Sequence, residues 1–167
     1  CIMVGRRQPQ AQADSLGGGL MNLDSYAVLN NVTIEGNQAE TGGGIANLDS
    51  KSVISSSTIT GNQATGSDAL PLDIDGGLGG GLFSTGTRNA AQLDLTGVTL
   101  SGNSATTAGS AVSLAAGDGG STLFFLVNNS VTADNTCHNP DAVLNVGDNF
   151  TDASGTCVQT EIQESSI

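Results

Sequence analysis

Residues 17–39 read GGGLMNLDSYAVLNNVTIEGNQA and residues 42–64 read GGGIANLDSKSVISSSTITGNQA, so the chain states almost the same string twice, 25 positions apart. The pattern continues in weaker form. The triple glycine returns at Gly79-Gly80-Gly81-Leu82, and the Gly-Asn-Gln-Ala of 36–39 and 61–64 returns as Gly-Asn-Ser-Ala at 102–105. A fourth, worn copy runs from Ala108-Gly109-Ser110-Ala111-Val112 to Val131-Thr132-Ala133-Asp134-Asn135. Self-similarity at a period of 20 to 50 residues is the mark of a repeat architecture, in which each unit buries its apolar face against the next.

Inside a unit the apolar period is two, as in Val28, Val32 and Ile34, in Val53 and Ile59, and in Leu93, Leu95, Val98 and Leu100. With Val, Ile and Thr in the runs and Gly or Asn between them, this predicts short strands and turns, and no helices. A unit of roughly 25 residues made of several short strands matches one coil of a β-solenoid, each coil pairing in parallel with the next at about 4.8 Å. Ile34 is then expected over Ile59, and Asn37 over Asn62, Asn103 and Asn135, as a ladder of amides. The alternative for these Asn residues is a plain preference for surface turns; their recurrence after Ile/Leu-x-Gly favours the inward ladder. Glycines fit corners that need positive φ or close backbone approach. Residues 65–78 (TGSDALPLDIDGGL) exceed the repeat and read as a loop on one face of the stack.

Composition narrows the function. Aromatic residues are 3% of the chain and Gly numbers 24, so small side chains must stack in the interior. Sixteen acidic residues against four basic ones, Arg6, Arg7, Lys51 and Arg88, give a net charge of −12. That balance argues against nucleic acid and anionic membranes as partners. No apolar run approaches the ~18 residues of a membrane span, the longest being Leu123-Phe124-Phe125-Leu126-Val127. The start, Cys1-Ile2-Met3-Val4, lacks the charged and apolar regions of a signal peptide and reads as a processed or trimmed chain.

GGG(I/L) paired with (I/L)-x-G-N resembles the repeats of bacterial cell-surface right-handed parallel β-helix proteins, including passenger regions similar to the polymorphic outer-membrane proteins. Ile34, Ile59 and Leu100 stand where that family carries Phe. The resemblance covers about residues 16–157. It implies an all-β, right-handed parallel β-helix of about four to five coils over 1–136, with the long loop at 65–78, followed by a Cys-bounded, irregular tail over 137–167. It further implies a secreted or surface-exposed bacterial scaffold, structural or adhesive, without enzymatic activity. The expected partners are proteins or further copies of the chain at open solenoid ends, with glycans as another class of ligand.

In such an exported protein Cys137 and Cys157 read as a disulfide, contributing about 3 kcal/mol by the chain-entropy model. Cys1 is the odd thiol. It could be free, pair with another chain, carry lipid as a surface anchor, or simply open a truncated coil. Asp24 and Asp49 hold equivalent positions and could serve as an acid and a base or grip Ca²⁺, but both follow Asn-Leu in a turn, where Asp tolerates left-handed geometry. Asp68, Asp73 and Asp75 offer a better Ca²⁺ candidate, although no Glu closes an EF-hand spacing. His138 is the single histidine and has no triad pattern around it. The sequons at Asn31, Asn128 and Asn149 are as many as chance gives in a chain this rich in Asn, Ser and Thr.

Two rivals remain. Parallel β-helices also carry polysaccharide lyases and hydrolases. Acidic sugars would be repelled by this charge without Ca²⁺, whereas two carboxylates on adjacent coils could cleave a glycoside. Ice binding needs a regular Thr array, and Thr-x-Thr occurs only at 58–60.

Overall fold

A computed structural model describes residues 16–66, 69–70, 74–115, 121–127, 130–131, 137–138, 143–146 and 151–152; at 69–70, at 74–75 and beyond 120 the description is of backbone pairing alone. Among these residues there are strands and no helix.

The first copy folds as four strands, β1 (Leu20–Leu23), β2 (Tyr26–Asn30), β3 (Thr33–Glu35) and β4 (Gln38–Ala39). The second repeats them as β5 (Ile45–Leu48), β6 (Lys51–Ser55), β7 (Thr58–Thr60) and β8 (Gln63–Ala64). A short antiparallel pair, β9 (Ala69–Leu70) with β10 (Ile74–Asp75), interrupts the chain. The third copy supplies β11 (Leu82–Thr85), β12 (Ala91–Thr96), β13 (Thr99–Ser101) and β14 (Ser104–Ala105). Beyond it come β15 (Val112–Ala115), β16 (Ser121–Val127), β17 (Ser130–Val131), β18 (Cys137–His138), β19 (Val143–Val146) and β20 (Thr151–Asp152).

Equivalent strands lie side by side. Three five-stranded sheets run β1-β5-β11-β15-β18, β2-β6-β12-β16-β19 and β3-β7-β13-β17-β20, and a three-stranded sheet runs β4-β8-β14. All their pairings are parallel, so the copies form tiers stacked on one another, an arrangement compatible with a β-solenoid. Ile34 pairs with Ile59 and Ile59 with Leu100, which is the registry that the repeats predict.

Corners between strands are made by single left-handed residues. In the first tier these are Gly17, Asp24, Asn31 and Gly36; in the second they are Gly42, Asp49, Ser56 and Gly61. Two kinds of glycine must be separated. At Gly61 a Cβ would meet nothing closer than 3.9 Å, so only its φ of +62° matters. At Gly43, by contrast, a Cβ would fall 2.4 Å from the Gln63 carbonyl and 2.6 Å from that of Gly80, so the stack itself leaves no room.

The interior is filled by Ile45, Ile54, Ile59, Leu82, Leu93, Leu95, Val98, Leu100, Val112 and Leu114, with Leu20, Leu29 and Ile34 packed on it from the first tier. Val28 and Val53 are not in this core. Leu29, Ile54 and Leu95 align in one file and point inward, which turns Val28, Val53 and Asp94 outward, with Val28 61% exposed. A second apolar cluster, Ala46, Leu48, Leu78 and Phe83, packs on the other face of the β1-β5-β11-β15 sheet. The insertion is also narrower than 65–78: Gly66 and Gly77 both donate backbone N–H to Glu40 O, and Leu78 bridges in parallel to Ala108.

Candidate functional site

The polar side chains held in the stack give the chain its chemistry, and each begins at a corner. Gly36, Gly61 and Gly102, at φ of +63°, +62° and +57°, end the third strand of their tiers and swing the next residue, an Asn, toward the interior. Asn37 donates its backbone N–H and its Nδ2 to Asn62 Oδ1, both at 3.0 Å. Asn62 does the same to Asn103 Oδ1, again at 3.0 Å. The remaining Nδ2 hydrogens go to backbone carbonyls one tier back, Asn62 to Ile34 O at 2.9 Å and Asn103 to Ile59 O at 3.0 Å. Asn62 is fully buried and its amide makes every bond it can, which is the condition for a polar group to sit in an apolar stack without destabilising it. Asn135 lies outside the described residues.

A second ladder was legible in the repeated string but is absent from the expectations above. Asn22 donates Nδ2 to Asn47 Oδ1 at 3.0 Å, and Asn47 donates Nδ2 to Ser84 Oγ at 3.1 Å. Ser52 closes the group by donating its hydroxyl to Asn47 Oδ1 at 2.8 Å. In the next tier the position in register with Ser84 is Leu114. Its signal is the Asn of GGG(L/I)-x-Asn-Leu-Asp-Ser, identical in the first two copies.

Asp24 and Asp49 are the left-handed corner residues of their tiers, at φ of 47° and 50°. They stand in one file but differ in setting. Asp49 is buried under the 86–90 loop, where its carboxylate accepts N–H bonds from Thr87 (2.6 Å), Arg88 (2.8 Å) and Asn89 (3.0 Å) and the Thr87 hydroxyl at 2.6 Å. Burial pushes its pKa up, yet the Thr87 hydroxyl and the N–H groups of Arg88, Asn89 and Thr87 outweigh it and hold the group at about 2. A carboxylate so enclosed and ionised has no proton to give at neutral pH and no face open to a substrate. Asp24 is half exposed, with Arg88 Nη2 at 3.7 Å from it and Asn89 Nδ2 at 3.5 Å. The pair therefore fastens a loop across two tiers. On the neighbouring sheet Lys51 Nζ lies 2.8 Å from Asp94, which also accepts from Gln92 Nε2 at 2.6 Å.

The remaining sequence candidates fall largely outside the described side chains. Asp68 and Asp73 are beyond the described residues, and Asp75 is seen as strand backbone in β10. Cys137 and His138 form β18, seen as backbone, and Cys157 is beyond the described residues. Among the described residues no three His, Cys, Asp or Glu side chains gather as metal ligands, and no helix is long and apolar enough to cross a membrane.

The fold and its ladders define a class: an all-β repeat protein whose parallel tiers are tied together by buried amides. No family model, curated protein or solved structure matches the chain.

Proposed function

We propose that the chain is a non-enzymatic extracellular or cell-surface scaffold, structural or adhesive, built as a right-handed parallel β-helix of four to five coils and closed by a tail that Cys137 and Cys157 bridge. The observation that carries this reading is the use of the polar residues. Asn37, Asn62, Asn103, Asn22 and Asn47 bond from tier to tier, and Asp49 fastens a loop, so the chemistry in the stack is spent on rigidity. The acidic surface, at net charge −12, favours solubility and protein or glycan contacts over polyanions.

The test is a pair of assays on the full chain. Beads coated with the protein are offered to cells and to immobilised neutral and acidic glycans, and the same glycans are screened for cleavage with and without Ca²⁺. Retention without cleavage supports a scaffold. Cleavage that disappears in Asp24→Asn, or in the combined Asp68→Asn, Asp73→Asn and Asp75→Asn variant, transfers the chain to the polysaccharide-degrading class. Intact mass with and without reductant reports the Cys137–Cys157 bridge and any lipid on Cys1.

A further inference from the structure

Asparagine amides in this protein are mostly spent on holding it together. The ladder residues bond from tier to tier, Asn30 donates Nδ2 to Ser55 Oγ at 2.7 Å, and Asn89 Nδ2 reaches Asp24 at 3.5 Å. Asn31 differs: it is exposed, and among the described residues no hydrogen bond engages its side-chain amide. Among the asparagines with described side chains it is also the one that opens an Asn-x-Ser/Thr signal, Asn31-Val32-Thr33. The signals at Asn128 and Asn149 lie outside the described residues.

The corner itself does not call for this residue. Asn31 holds φ of 54°, and the next two tiers fill the same corner with Ser56 at 48° and Gly97 at 61°, so the turn needs only a residue that tolerates the left-handed region. Nor does the exposure come from the place of the first tier in the stack. Ser56, with a tier on either side, is exposed as well, and a Cβ on Gly97 would meet nothing closer than 3.8 Å. The corner file therefore faces sideways, out of the stack. Its backbone is fixed, since Asn31 donates its N–H to Ser55 O at 3.1 Å and Val32 its N–H to Ser57 Oγ at 3.2 Å. Thr33, which opens β3, is exposed, and its partners Thr58 and Thr99 are only half-buried within the stack. An unengaged amide, a hydroxyl residue two positions on and open space to one side meet the requirements for an N-linked sugar.

We propose that Asn31 is a glycosylation site, which takes an N-linked sugar from a diphosphate-activated donor. Asn31 Nδ2 forms the bond to the anomeric carbon of the sugar. The bond from that carbon to the diphosphate oxygen breaks, the diphosphate leaves with the electron pair, and one amide proton passes to a base of the transferase. Such a diphosphate is carried either by a nucleoside or by a polyisoprenoid lipid. The proposal rests on the extracellular reading, since N-linked sugars belong to the surface of secreted proteins. It sets the glycan on a lateral corner, where it touches neither amide ladder nor the apolar interior.

The experiment co-expresses the full chain, in a bacterial host without N-glycosylation of its own, with a transferase that uses nucleoside-diphosphate sugars or with one that uses lipid-linked oligosaccharide. Each transferase is first verified on a carrier protein bearing an accepted signal, and the one that succeeds identifies the donor. Mass spectrometry should find one glycan on the tryptic peptide 8–51. Asn31→Gln and Thr33→Val should lose it, and Asn30→Gln should keep it. Ser56→Asn writes the same signal at the next corner and should add a second glycan. Circular dichroism and melting of the modified chains should match those of their unmodified counterparts. The proposal is overturned by a peptide 8–51 that neither transferase modifies, by a glycan on it that persists in Asn31→Gln, by a Ser56→Asn chain that gains no second glycan, or by a modified chain that loses its fold. Each of these results leaves the scaffold reading to the adhesion and cleavage assays, which use the chain without sugar.

Discussion

Replacing Asn62 separates an interior amide ladder from a row of surface turns. Asn62→Ala deletes four hydrogen bonds: two accepted from Asn37, one given to Asn103 Oδ1 and one given to Ile34 O. Each net bond contributes about 0.5–1.5 kcal/mol. Asn37 and Ile34 are half-buried and recover some of their loss from water, whereas Asn103 Oδ1 and the vacated volume are buried, so a loss of about 3–4 kcal/mol is expected. Asn37→Ala, at the first rung, should cost only about 1 kcal/mol. Asn62→Asp keeps the shape but removes both donors, setting a carboxylate against Asn103 Oδ1 and Ile34 O. Burial and these facing oxygens raise the new carboxyl above its unfolded value of about 3.9, so the penalty is full at neutral pH and shrinks as acid protonates the group in the folded state. Urea unfolding followed by circular dichroism at neutral and mildly acidic pH measures all three. Equal costs of under about 1 kcal/mol for Asn37→Ala and Asn62→Ala, or an Asn62→Asp penalty independent of pH, would refute the ladder as a source of stability.

The corners and the clamp can be tested in the same way. Gly43→Ala drives a Cβ into the Gln63 and Gly80 carbonyls and should cost about 3 kcal/mol or more, against about 1–2 kcal/mol for Gly61→Ala, where space is open and only φ is strained. Ser56 holds φ of 48° at a corner that the next tier fills with Gly97, so Ser56→Gly should raise stability by about 0.5 kcal/mol in the same unfolding assay. Asp49, at about 2 in the folded chain against about 3.9 unfolded, contributes about 2 kcal/mol that is present above pH 4 and lost as pH falls through 2. Asp49→Asn should remove that contribution and flatten the acid limb of a stability profile.

The sequence made the registry legible because identical strings fix which residues must meet. The motif (I/L)-x-Gly-Asn located both the strand end and the amide that turns inward. It did not give the phase of β2 and β6, since Ala27-Val28-Leu29 and Ser52-Val53-Ile54 are apolar at adjacent positions and either could face in. The third copy decides the phase. There the pair is Asp94-Leu95, and a carboxylate opposite Val53 keeps that file out of the apolar interior, on the outer face where Lys51 pairs with the largely buried Asp94. The Asn22–Asn47 ladder was hidden for a related reason. An Asn two residues before an Asp corner looks like turn chemistry until the register places it beside Asn47 and Ser52.

The clamp on Asp49 needs a contact that no repeat encodes. Asn37 and Asn62 are 25 residues apart, while Asn62 and Asn103 are 41 apart, yet both pairs make the same two bonds at the same length. The extra residues therefore leave the stack at corners without disturbing it, as the Gly66–Gly77 closure on Glu40 O does for one of them. Residues 86–90 are the other, and they fold back so that three consecutive N–H groups converge on Asp49. Asp24 occupies the same corner one tier away, but its bonds to that loop are longer and it remains half exposed. A residue written identically in two copies thus becomes a buried anchor in one and a solvated turn in the other, because the insertion at the third tier's corner folds onto Asp49, the adjacent tier's residue, and reaches Asp24 only at longer distances.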